Sequence, residues 1–517
     1  MENGDLILTI DFGTQSVRAS IFDAQGNALC MEKETYAPAY FSPKPGYAEQ
    51  DPDYYYQCLC KCTNRIKENN PELLKRVKGI TETCFRDSAV LLDKERNVVR
   101  PMILWLDQRF AKCEKPLPWY LRAIFGIVGM GDVIKMNRKR TIANWIIENE
   151  PENWAKVDKY VAVSTYFIYR LTGQLKDSAA NCTGHYPIDF KKKKWYRRPE
   201  KHMKGRIFSV KSSMLCELVK EGGLIGTITK KCSLESGIPT GVPVFACGSD
   251  KSCETLGVGV MDDKTGAISL GTACTFETTV TKYTEPVTFL PCYPSCIDGY
   301  YNMDVQIYRG YWMINWFLKE FGGEQINDIT LDEGDPQYWD KQMANVPVGS
   351  DGLILQPYWG SMLDRPEVKG SIVGFSDVTT RAHFYRALIE GIGYALREAA
   401  EGFQKKLHHK FTSLRVSGGG AKSNEICQIM ADIFGVPVSR VHTTESSSLG
   451  AAMAGFLAID RYETPQQAIE NMVRLEDTFK PNMENHKVYD DLFYGVYMKL
   501  YPDLKKEYKF LWNYTAR

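Results

Sequence analysis

Residues 6–23 read LILTIDFGTQSVRASIFD: an apolar strand, a turn of glycine and hydroxyl residues, and a second strand. Asp11 stands near the end of the first strand, and Gly13, Thr14, Gln15 and Ser16 form the turn. A hairpin of this kind suits phosphate. Gly13 has no side chain to block close approach, so backbone N–H groups and the hydroxyls of Thr14 and Ser16 can donate to phosphate oxygens. Asp11 repels phosphate directly but can hold Mg²⁺, or its waters, against it. The segment is not the strand–turn–helix of a dinucleotide site, and no GxxxxGK[ST] follows. Ordinary hairpins use the same residue types, so a second observation is needed.

The motif recurs. Residues 264–280, KTGAISLGTACTFETTV, give a strand from Ala267 to Leu270, a Gly271-Thr272-Ala273 turn and a β-branched second strand. A third turn, Ser417-Gly418-Gly419-Gly420-Ala421-Lys422-Ser423-Asn424, follows the short strand Leu414-Arg415-Val416. Two phosphate-type hairpins about half a chain apart imply an internal duplication. With these three turns the chain resembles the FGGY carbohydrate kinases, members of the actin-like, RNase-H-like ATPase superfamily. Further stretches match in the family's order: GYAEQDPDYYYQ (46–57), RPMILWLDQR (100–109), VPVFACGSDKSCETLGVG (242–259), FYRALIEGIGYALRE (384–398) and ESSSLGAAMAG (445–455). The resemblance implies an α/β protein of two RNase-H-like domains with an interdomain cleft. The first, residues 1–260, would carry the sugar site and the catalytic base; the second, residues 261–517, would bind the nucleotide.

Composition agrees with a soluble enzyme of more than one core. The chain has 517 residues, 44% hydrophobic and 25% charged, too long for a single core. A net charge of +1 provides no general electrostatic grip on nucleic acid or on anionic membrane. No run of 18 or more apolar residues is present, so no membrane-spanning helix is expected. The N-terminal apolar run stops at Asp11, so no export signal is read, and the 15 cysteines are expected as thiols in a cytoplasm. Cys58, Cys60 and Cys62 fall in an expected helix, where residues two apart diverge by about 200° and cannot share a metal. The basic run Lys191 to Arg198 reads as a solvated connection. A homodimer is the one assembly entertained.

Further helices are expected over 51–68, where Asp51-Pro52 opens the segment, over 141–149, and over 380–408. In the last, Ala387, Gly391 and Ala395 form a stripe of small residues, expected to serve helix packing. The strand Val242 to Cys247 leads through Gly248 and Ser249 to Asp250, which places that carboxylate at a strand end facing the cleft. Transfer of a phosphoryl group to an alcohol needs a group that takes the hydroxyl proton, and the family's matching aspartate has this role. Many members have Gln or Asn next, where this chain has Lys251. Its ammonium would favour the ionised base, or would hold a phosphate or a sugar hydroxyl. Lys251 also keeps a second reading open: a sensor that binds sugar and ATP without turnover, or another actin-like ATPase.

On the sugar side, Arg86 and Asp87 can donate to and accept from neighbouring hydroxyls of a diol. The pair looks like the Arg-Glu of glycerol kinases, whose nearby tyrosine is matched here by Asn137. Trp105 matches the family's sugar-contacting tryptophan, and sugar C–H faces pack on indole. Asp107 and Arg109 are further candidates for the cleft. The resemblance implies ATP as co-substrate with Mg²⁺, held by Asp11 and Asp250. It places Gly13, Thr14, Gln15, Ser16 and Arg18 at the transferred phosphate and Gly271 and Thr272 at the phosphate chain. Gly418, Gly419, Gly420, Ala421 and Asn424 would meet the adenosine. The acceptor is expected to be a ketopentose such as xylulose or ribulose, or a polyol such as glycerol or erythritol.

Overall fold

Seven consecutive residues, Leu6–Phe12, are buried without interruption. A strand so apolar on both faces belongs in the middle of a sheet covered on both sides, and that is its position in the computed structural model, which describes residues 4–515 apart from 128, 289, 322–335, 361 and 363. The first sheet contains β1 (Leu6–Phe12), β2 (Ser16–Phe22), β3 (Ala28–Thr35), β4 (Val77–Cys84), β5 (Leu224–Thr227) and β6 (Pro243–Phe245) in the order β5-β6-β4-β1-β2-β3. The strands β1, β2 and β3 form an antiparallel meander, β4 and β6 run parallel to β1, and β5 closes the far edge antiparallel. The edge strand β3 alternates exposed and half-covered residues, as a strand bordering solvent does.

The second sheet repeats the plan. It contains β7 (Thr265–Leu270), β8 (Cys274–Val280), β9 (Tyr293–Pro294), β10 (Tyr301–Ile307), β11 (Ser413–Ser417), β12 (Val438–Val441) and β13 (Leu475–Phe479), ordered β9-β10-β8-β7-β11-β12-β13. Again a meander (β7, β8, β10) is followed by two parallel strands (β11, β12) and an antiparallel edge, β13, with β9 added outside the meander. The duplication suggested by two hairpins therefore extends to whole sheets.

Helices expected from sequence form within a residue of their expected ends. In α1 (Pro52–Asn69) the Asp51 side chain caps the first turn by accepting from the Asp53 N–H. Its cysteines diverge as a helix requires: Cys58 and Cys62 are buried and Cys60 is half-buried. The 141–149 expectation corresponds to Ile142–Asn149 and the longest to Arg381–Leu407. There, a methyl on Gly391 would lie 2.3 Å from the Leu355 carbonyl oxygen, so the small stripe admits a strand (Ile354–Gln356) rather than a nucleotide. The expected strand Val242–Cys247 is shorter, Pro243–Phe245, because the chain leaves the sheet to start the next helix.

Two helices tie the sheets together. The helix Asp250–Gly257 (α2) crosses Ser446–Ala458 (α3) at glycine: a methyl on Gly257 would sit 1.9 Å from the Ser446 carbonyl oxygen, and one on Gly450 1.8 Å from that of Cys253. No other residue permits that approach. Although α3 lies late in the chain, it covers the first sheet. Thr81 Oγ1 of β4 donates to the Ala451 carbonyl at 2.8 Å, and a methyl on Gly455 would meet Ile7 of β1 at 2.7 Å.

Candidate active site

The first turn is closed by its own backbone: the Gly13 N–H donates to the Ser16 carbonyl at 3.0 Å. Gly13 thus supplies room rather than a donor, which corrects the expectation for that N–H. Ser16 is buried as the first residue of β2, and Gln15 accepts from the Tyr36 N–H. Thr14 reaches across to the sugar side, its Oγ1 accepting from Trp105 Nε1 at 2.9 Å. Arg18, at the start of β2, points its guanidinium at Glu445, at 2.9 Å, and lies 3.8 Å from Asp11.

Asp11 is buried. Burial carries its carboxyl up to about 7, against the pull of Arg18, and the negative charges of Asp250, Glu445 and Glu254 add to the rise. A buried carboxylate among other carboxylates is suited to a cation. Among the described residues no three His, Cys, Asp or Glu side chains converge into a metal cage, so Mg²⁺ here would share its ligands between Asp11, water and phosphate oxygens.

The second turn lies against the third. Gly418 has φ +84°, and a methyl on it would stand 2.8 Å from the Leu270 carbonyl carbon and 3.1 Å from the Gly271 nitrogen. Gly420 is pressed against the Tyr311 ring, Gly419 faces open space, and Ala421 is buried. Ser423 caps the helix Asn424–Phe434, so Asn424 is its first residue; its Oδ1 accepts from Arg440 at 2.8 Å.

Asp250 opens α2, one residue after the position that caps the helix, Ser249. Its Oδ1 accepts the Lys251 N–H at 2.8 Å. Burial raises its pKa, while Lys251 and Arg86 restrain the rise, a direction that makes the carboxylate a better proton acceptor. The Lys251 ammonium is engaged elsewhere: it pairs with Glu254 at 2.6 Å and donates to Ser269 Oγ at 3.0 Å. Burial pulls its pKa down, but Glu254 and Asp250 outweigh that and hold it above the usual lysine range. Glu254 in turn accepts from Ser417 Oγ at 2.5 Å. The lysine thus links β7, β11 and α2 through Ser269, Glu254 and Ser417 while also lining the cavity.

Thr14, Arg86, Asp87, Trp105, Asp250, Lys251, Gly271 and Thr272 line one cavity of about 600 Å³, joined by Asn137. Gly13, Gln15, Ser16, Arg18 and the 418–424 turn stand outside that lining. Arg86 does not pair with its neighbour. Its Nη1 binds Asp304 Oδ2 of β10 at 2.5 Å, and the guanidinium lies over the Tyr293 ring at 5.3 Å. Asp87 holds His185 instead, at 2.7 Å from Nδ1 and 2.8 Å from the backbone N–H. Asp304 and His185 carry no signal in the sequence, since their partners lie far away in the chain. Asp107 and Arg109 bind each other, and Arg109 also pairs with Glu49, away from the main cavity. The basic run is not wholly solvated: Lys191 lines the cavity, and Lys193 pairs with Glu221 at 3.0 Å and Asp298 at 3.3 Å.

A family model described as the FGGY family of carbohydrate kinases, N-terminal domain, matches residues 6–257, and its C-terminal counterpart matches 266–459. The chain belongs to the FGGY family of carbohydrate kinases. Its relatives in this family include a xylulose kinase of Staphylococcus epidermidis, 28% identical over 97% of both chains. A gluconokinase of Bacillus subtilis is 25% identical over 98% of both. The fold is that of solved FGGY kinases. The xylulose kinase of Lactobacillus acidophilus superposes with a TM-score of 0.82 at 22% identity, covering 98% of this chain and 100% of the other. The Plasmodium falciparum glycerol kinase with ADP gives 0.74 at 20% identity, covering 96% and 98%. Among the described residues no helix is long and apolar enough to cross a membrane.

Proposed function

We propose that this FGGY kinase transfers the γ-phosphoryl group of ATP to a hydroxyl of a small neutral sugar or polyol, of the size of a ketopentose or a short polyol. The observation that carries the reading is that the half-buried Asp250, the Gly271-Thr272 turn and the Arg86, Asp87 and Trp105 side chains line one cavity. Asp250 would take the proton of the attacking hydroxyl as the new O–P bond forms and the bond from the γ-phosphorus to the β-bridging oxygen breaks, releasing ADP. Thr14, Gln15 and Arg18 would border the phosphoryl group in flight, Gly271 and Thr272 the phosphate chain, and the 418–424 turn the adenosine. Asp11, and Asp250 beside it, would hold Mg²⁺, which when bound neutralises charge on the phosphates.

The domain division at about residue 260 and a cytoplasmic location belong to the same reading; all fifteen cysteines are free thiols, which suits a reducing compartment. A coupled ADP-release assay across ketopentoses, ketohexoses, polyols and deoxysugars tests it. Acceptor-dependent ADP release from one or a few of them is the expected result, and acceptor-independent hydrolysis alone would overturn it.

A further inference from the structure

Relatives that act on a neutral ketose and on an aldonate, by their names, cover this chain equally well, so overall similarity does not say which kind of acceptor fits here. The charges lining the cavity do. A carboxylate-bearing acceptor needs a cation with charge to spare. Arg86 is already paired with Asp304, and a second hydrogen bond runs from its Nη2 to Gln306 Oε1 at 3.4 Å. Lys251 is paired with Glu254, and His185 is held by Asp87. Arg140 lies over the rings of Phe110 and Tyr308, at 5.8 and 5.6 Å, and the other two lining cations, Lys191 and Lys204, are exposed residues whose charge is shared with solvent.

Asp304 goes further than balancing Arg86. Its other oxygen, Oδ1, is buried with no hydrogen-bond partner among the described residues, and the residue lines the cavity. A buried bare carboxylate oxygen is costly until a donor reaches it. A hydroxyl can donate; a ligand carboxylate has no proton to give and adds like charge. Opposite Asp304 in the β8–β10 register stands Glu277, whose carboxyl is pushed up to about 8 by burial and by Asp304 itself.

Resting on the kinase reading, we infer that Asp304 is a specificity-determining residue that selects uncharged polyhydroxyl acceptors against carboxylate-bearing ones, by neutralising Arg86 and receiving an acceptor hydroxyl on its free oxygen. The test uses matched pairs of equal carbon chain, such as glucitol with gluconate and xylitol with xylonate, alongside the neutral ketoses. Binding is read by thermal stabilisation of the full chain and turnover by ADP release. Wild type should favour the neutral members by at least tenfold. Asp304→Asn should weaken the neutral acceptors and strengthen the aldonates, shrinking that ratio by an order of magnitude, and adding Arg86→Ala should remove the gained aldonate affinity.

Wild type preferring an aldonate, binding neither class, or an unchanged ratio in Asp304→Asn would each overturn the inference. If Asp304→Asn does not fold, the wild-type ratio alone decides. A neutral preference in binding with no ADP release from any acceptor would instead sink the kinase reading and leave the selectivity standing.

Discussion

The two cleft hairpins hold equivalent places in their sheets, and their sequences align as Asp11-Phe12-Gly13-Thr14 and Ser269-Leu270-Gly271-Thr272. The glycine and threonine are shared; the acid is not. In the first half a buried Asp11, with Asp250, Glu445 and Glu254 around it, leaves negative charge that Arg18 offsets only from 3.8 Å. In the second half the matching Ser269 hydroxyl accepts from the Lys251 ammonium, which is itself paired with Glu254. One turn must import positive charge and the other carries its own. A duplicated turn has thus diverged by a single side chain in each copy.

Removing the built-in cation is expected to have the largest effect. Lys251→Met leaves Glu254 buried without its partner, at a cost of about 3–5 kcal/mol, read as a shifted midpoint in chemical denaturation. Lys251→Met with Glu254→Gln should recover most of the loss. A single variant as stable as wild type would show that the second turn needs no cation of its own.

Between the two turns stands Asp250. Asp250→Asn is expected to lower turnover by a factor on the order of 10² or more while thermal stabilisation by MgATP changes little. Near wild-type turnover would remove it from the chemistry and leave the comparison without a shared centre.

The imported charge is tested at Asp11, whose carboxyl sits at about 7 in the fold against 3.8 as its ordinary value. With the folded value raised, its contribution to stability is greatest at acid pH, declines as pH rises between those two values, and reaches its full penalty above about 7. Asp11→Asn escapes the penalty. Without metal, its Tm relative to wild type should therefore rise between pH 5 and pH 8, by the equivalent of a few kcal/mol. Mg²⁺ with nucleotide should stabilise wild type more than the variant. A pH-independent difference would place no cation at Asp11.

The smallest signal is geometric. If acceptor and nucleotide contacts come from both halves, as proposed, ligands with differential affinity for a closed arrangement should favour it. A non-hydrolysable MgATP analogue with acceptor is expected to reduce the radius of gyration in small-angle scattering more than either alone. Equal values in all four states would mean that the two turns are held at a fixed distance.

The turns were legible in the sequence because glycine and threonine between two apolar strands constrain the backbone locally. The helices were legible from Asp51-Pro52 and from their periodicity. What escaped was pairing at long range. Asp304 is a lone acid in the strand YNMDVQI, and its meaning comes from Arg86, 218 positions away. His185 depends in the same way on Asp87, 98 positions away. In the basic run, charge density indicated solvent, yet Lys193 turns inward because Glu221 and Asp298 arrive from other parts of the chain. The stretch ESSSLGAAMAG matched the family's order, but nothing in it said that its helix would cover the other half's sheet.

The glycine crossing of α2 and α3 bears on how the molecule moves. Helices usually engage through ridges of side chains seated in grooves, and sliding one past the other means climbing from one groove to the next. Where Gly257 meets Gly450 there are no ridges to climb. Backbone rests on backbone, so no side-chain ridge there opposes a rotation of one helix on the other. Asp250 is the first residue of the same short helix, so its lever arm about that crossing is under three turns. A rotation about that crossing would displace this carboxylate far less than side chains farther from it.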